Sequence, residues 1–206
     1  MSVELSEKRG SGLPWLDHAI FRLDGWLRRR LGIFEYSTDS NCIFRLELGR
    51  AGHGLALSDG TRVRVGDRLL MLHFWNENVP AMGQEGPTVA WARGVSRNVE
   101  FSLRELARYL QQQPSLQDFV ALCGDMHLGS TRKTQQIERI VAHYGFEAVD
   151  DAHAERRGAL HRIGMSILIF MLLAATNPVA LRSTVLRRYH RRVFLSRATL
   201  ERRYRN

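Results

Sequence analysis

Residues 163–181, IGMSILIFMLLAATNPVAL, form the longest uncharged stretch in the chain, and their length decides whether this is a membrane protein. The purely apolar part, 163–175, covers about 20 Å as a helix at 1.5 Å per residue. A bilayer core needs ~30 Å. Extending the segment to Leu181 brings in Thr176, Asn177 and Pro178, so a spanning helix is not expected. Two readings stay open: a helix buried in the protein's own core, or an interfacial helix with its apolar face in the acyl boundary.

The segment after it sharpens the second reading. Residues 182–206 hold nine arginines and one glutamate and so carry +8 of the net charge of +9, which leaves the rest of the chain nearly neutral. Of 30 basic residues, only Lys8 and Lys133 are lysine. A GC-rich coding bias accounts for that exchange but not for the clustering. Arginine forks pair bidentately with phosphate and carboxylate. Arg187, Arg188, Arg191 and Arg192 are therefore expected to bind an anionic surface, each contributing about 1 kcal/mol near anionic headgroups. Nucleic-acid binding through the same tail is the weaker alternative, since no helix-turn-helix or aromatic RNA-binding motif accompanies it.

Two cysteines, Cys42 and Cys123, give no disulfide framework and fit a reducing compartment. The polar start, with Glu4 and Glu7, is unlike a secretory signal. The expected location is cytoplasmic, peripheral on the inner membrane.

The organisation expected is a disordered leader over 1–12, a single α+β domain over 13–181, and a basic helical segment over 182–206. Its small mixed or antiparallel sheet would pack with helices, and both chain ends would be helical. Residues 13–31 read as an amphipathic helix through Leu16, Ile20, Leu23 and Leu27. Residues 42–48 alternate, with Phe44, Leu46 and Leu48 on one face and Arg45 and Glu47 on the other. Asp59-Gly60 marks a hairpin turn, and residues 68–75 read as an apolar strand. A helix follows over 88–113, broken near Gly94, with Ser102 to Glu105 resembling a capping box for a fresh start. Residues 119–127 are a strand, 131–144 a helix, 146–149 a short strand, 154–176 a helix, and the remainder a basic helix.

Strand exits commonly carry binding groups, and residues 72–78 read Leu-His-Phe-Trp-Asn-Glu-Asn. His73 and Glu77 are the candidate catalytic pair, as a base with its orienter or with Glu77 as general acid/base. Trp75, Asn76 and Asn78 are the candidate ligand-binding residues. A buried, satisfied histidine beside turn-forming amides is the structural alternative. Cys123, Asp125 and His127 share one strand face, but three residues of one strand fall short of a metal site without further ligands. No metal and no cofactor is expected. P-loop, GxGxxG, GxSxG and kinase motifs are absent from the sequence, which disfavours phosphoryl-transfer and dinucleotide chemistry.

The chain resembles the bacterial YkoP-like domain family. The resemblance rests on Asp59-Gly60-Thr61 with Val65-Gly66-Asp67, on Leu72-His73 with Trp75-Asn76-Glu77, and on Ser102-Leu103-Arg104 with Leu106-Ala107. It continues through Gly145-Phe146, Asn177-Pro178 and Ser196-Arg197-Ala198-Thr199-Leu200. It implies a domain found joined to, or near, polysaccharide deacetylases and other envelope-polysaccharide functions. The deacetylases' metal-binding motif is missing, so deacetylation itself is not implied. The expected function is accessory or ligand-binding, on a small polar or glycan-like ligand. The alternative is a transferase or hydrolase acting on a glycan or lipid-linked substrate.

Overall fold

The computed structural model describes residues 32–75, 77–81, 83, 86, 88–128, 138–149 and 189–205. The expected leader, the helix over 13–31, the apolar segment 163–181, and Asn76, Arg187 and Arg188 lie outside these residues. Among the described residues no helix is long and apolar enough to cross a membrane.

The fold is α+β. Strands β1 (Phe44–Arg50), β4 (Arg68–Phe74), β5 (Ala121–Leu128), β6 (Glu147–Val149) and β7 (Tyr189–Ser196) form one mixed sheet in the order β1-β4-β5-β7-β6. Among the described strands only β4 and β5 run parallel. A parallel pair needs a long crossover, here supplied by helix α1 (Val89–Gln111). A two-stranded ribbon of β2 (Leu55–Ala56) and β3 (Arg62–Val63) leaves the sheet between β1 and β4. Its turn is the expected Asp59-Gly60, where Gly60 takes the left-handed step at φ 87°, as a three-residue hairpin loop demands. Residues 138–143 are helical, and helix α2 (Arg197–Tyr204) follows β7 directly.

Strand alternation divides the core between the two faces of the sheet. Leu46, Leu70, Leu122 and Leu195 meet Leu103, Leu106 and Leu110 of α1 on one face. Their neighbours Leu69, Ala121, Cys123 and Phe194 meet Leu57 and Val63 of the ribbon on the other.

Three expectations are corrected. Helix α1 is continuous through Gly94, because a glycine costs only about 1 kcal/mol and the apolar face beyond it is fully buried. Ser102 is not a cap; it lies buried inside the helix. Its hydroxyl donates to the carbonyl of Asn98 at 2.6 Å and accepts the amide of Ile43 at 2.9 Å. The helix is capped instead by Thr88, whose hydroxyl accepts the amide of Trp91. Thirdly, the basic segment is not one helix: Tyr189–Ser196 is a strand bonded on both sides, and only Arg197–Tyr204 is helical. Val193, Phe194 and Leu195 are buried on alternating faces, which a strand between two core layers satisfies and an exposed helix does not.

The ribbon is bound to the rest of the fold by two carboxylates. Glu147 of β6 accepts from the Ser58 amide and hydroxyl, both at 2.8 Å. Asp59 accepts from the hydroxyls of Ser196 and Thr199, at the start of α2, and from the amide of Thr61. Burial alone would raise the Asp59 carboxyl, but these donors outweigh it and hold it at about 2. A depressed folded-state value stabilises the fold above pH ~4 and loses that contribution as pH falls towards 2. Asp59→Asn should therefore lower stability by about 1 kcal/mol near neutrality, after allowance for its exposure. The gap from the parent, read as a urea midpoint at each pH, should close between about pH 4 and 2. A gap independent of pH would show that the charge is not what matters.

Candidate functional site

The antiparallel register of β1 and β4 sets Arg45 opposite His73 and Glu47 opposite Met71. All four lie on the face that also carries the ribbon. Glu47, diagonal to His73, reaches it: His73 Nε2 and Glu47 Oε2 are 2.8 Å apart. A carboxylate only accepts, so Nε2 carries the proton and Nδ1 is left to accept one or to bond a ligand.

Arg45 is buried at 6% exposure. Its guanidinium lies 3.2 Å from Glu35, 3.7 Å from Glu77 and 4.4 Å from the ring centre of Trp75. The ladder continues past β4 through the Trp75 amide, which bonds the carbonyl of Ile43, and the chain then turns, with the Asn78 amide on the Trp75 carbonyl. The side chain of Asn78 donates to the Cys42 carbonyl at 2.9 Å, so it holds the turn.

Further across the sheet, Asp125 of β5 stands opposite Arg192 of β7, with Arg192 Nε 2.8 Å from Asp125 Oδ1. Since Leu72 pairs with Gly124, the next positions are His73 and Asp125. Arg45, His73, Asp125 and Arg192 thus occupy one level on four neighbouring strands, on a single face. The arrangement offers a histidine oriented by a carboxylate, an arginine stacked on an indole, and ion-paired groups locked in place by the sheet.

Measured against the sequence, His73, Trp75 and Glu77 do converge, but not in the expected pairing. The partner of His73 is Glu47, and Glu77 turns to Arg45, because the cross-strand register brings Glu47 nearer than the turn brings Glu77. Arg192 was expected on an anionic surface; it is 7% exposed and held by Asp125. Arg191 lies in β7 beside it. Cys123 is buried in the apolar layer, away from the role its ligand chemistry would allow, while Asp125 serves Arg192. Sequence reasoning missed Glu47 and Arg45. Their shared face was visible in the alternation of β1, but the strand they would pair with was not.

The family model described as the YkoP domain matches residues 23–204. Among curated proteins and among solved structures nothing matches.

Proposed function

The chain belongs to the YkoP domain family, and we propose that it is a ligand-binding accessory domain in envelope polysaccharide or lipid metabolism. In this reading it acts as a cytoplasmic protein peripheral on the inner membrane. The observation that carries the proposal is the His73–Glu47 pair beside the Arg45–Trp75 stack. Planar polar side chains with compensated charges, next to an indole, suit a hydroxyl-rich glycan-like ligand. Nδ1 of His73 can accept a hydroxyl, Glu77 can accept a second, and Trp75 offers apolar surface to a sugar ring.

Titration calorimetry with soluble amino-sugar oligosaccharides would test the site. His73→Ala and Glu47→Gln should each weaken binding about 10- to 100-fold, the loss of one good hydrogen bond to a charged or oriented partner. Affinity unchanged in both variants would remove the site from consideration. For the location, membranes would be washed with high salt and then carbonate. Release at either step supports a peripheral protein, and recovery entirely in the soluble fraction refutes it.

The pair also favours a second reading, an enzyme in which His73 is the general base and Glu47 its positioning residue. It would act as a transferase or hydrolase on a glycan or lipid-linked substrate. Removing such a base costs about 10²- to 10⁴-fold in rate. Glu47→Gln should then shift the pH–rate profile, which loss of a merely structural contact would not do.

A further inference from the structure

Arg192 is buried against Asp125 and residues 189–196 are a strand inside the sheet, so the described part of the C-terminal segment is not one exposed basic helix. Another row exists. Arg93, Arg97, Arg104 and Arg108 of α1 are all exposed. At about 100° per residue they fall within roughly 60° of one another, on the side of the helix away from Leu103, Leu106 and Leu110, and they extend for about 22 Å. Arg97, Arg104 and Arg108 line a shallow groove together with Glu100, Glu105 and Phe101. Glu100 lies 3.5 Å from Arg104, and Glu105 pairs with Arg108. Among the described residues Arg93 and Arg97 form no ion pair.

We propose that this arginine stripe of α1 docks on the anionic lipid headgroups of a bilayer. The inference rests on the peripheral-membrane part of the reading above and supplies its contact surface. Arginine forks match phosphate bidentately. Lipids also suit the charge pattern better than nucleic acid does. Glu100 and Glu105 interrupt the row and oppose a continuous phosphate ladder, whereas mobile headgroups gather around individual arginines. A single half-buried aromatic, Phe101, is a poor stacking platform for bases.

The orientation follows. Helix α1 covers the sheet face opposite the ribbon, so docking through it turns the His73–Glu47 face towards water. The ligand of that site would then arrive from the aqueous side.

The test is co-sedimentation of the full chain with phosphatidylcholine vesicles, with and without phosphatidylglycerol. Arg93→Gln with Arg97→Gln should weaken partitioning onto the anionic vesicles about 30-fold, or ~2 kcal/mol at about 1.4 per decade, one for each arginine. Circular dichroism would confirm that the helix persists. Arg62→Gln with Arg64→Gln removes the same charge from exposed ribbon positions on the other face and should cost less than about 3-fold. If the first pair binds as the parent does, or the second falls as far, docking through α1 is overturned while the peripheral reading survives. If the parent ignores anionic vesicles, both fall. Retention on a duplex DNA or RNA probe, lost in the Arg93/Arg97 variant, would overturn it in favour of nucleic acid.

Discussion

Replacing Phe194 with alanine should cost about 3–5 kcal/mol of folding stability, the range for emptying a large, fully enclosed aromatic site. Phe194 is 1% exposed and packs among Leu69, Ala121 and Cys123 of the sheet and Leu57 and Val63 of the ribbon. Its strand is bonded to β5 at Cys123 and to β6 at Glu147, so neither side can close over the cavity. A urea midpoint measured by fluorescence or circular dichroism gives the loss directly. The same substitution on an exposed basic helix would change stability by less than about 0.5 kcal/mol. A small effect would therefore contradict the place of β7 in the sheet, which is the largest departure from what the sequence led one to expect.

Asp125→Ala should come second, at about 3 kcal/mol, because it takes a carboxylate partner from a buried cation. The side chain of Arg192 is 9% exposed and that of Asp125 30%, so most of the cost falls on the arginine left in a poorly solvated place. Removing one partner of a buried pair is far more damaging than replacing both. Asp125→Ala combined with Arg192→Leu should accordingly recover most of the loss. In a chain of this size each kcal/mol shifts the melting temperature by roughly 2–4 °C, so the single variant should melt about 6–12 °C lower. A double variant as unstable as the single one would show that the pair's charge is not what holds this level of the sheet.

The parts of the fold that could be read in advance are those whose signals are local. Asp59-Gly60 announces a hairpin by turn chemistry alone, and the alternation through Phe44, Leu46 and Leu48 announces a strand. The nature of residues 189–196 could not be read that way. His190, Arg191 and Arg192 give a helix-like charge density, and the apolar triplet Val193-Phe194-Leu195 has no period of its own. What settles it is the pair of apolar layers waiting on either side, a tertiary fact. The site shows the same division. His73, Trp75 and Glu77 stood out as polar or amphipathic groups at a strand exit. Glu47 became the partner of His73 only through a register fixed by the strand pairing across an intervening ribbon. Two of the quoted motif pieces, Asp59-Gly60-Thr61 and Ser196 to Leu200, turn out to be halves of one contact, since Asp59 bonds Ser196 and Thr199 across more than a hundred residues. Gly145, in another piece, sits at φ 91°, a conformation side chains rarely adopt, with Thr199 and Leu195 only 3.1 and 3.2 Å from where a Cβ would lie. These motif pieces are therefore architecture.

The position of β7 also bears on how the molecule is made. Among the described strands β6 pairs with β7 alone, and β5 has β7 along one whole side. Until residue 196 has been made, the long edge of β5 lacks the strand that covers it. Such an edge recruits other strands readily. The sheet closes only once β7 has been made. Production yield should then respond to chaperone supply and to slower growth at low temperature more than to the stability of the finished fold.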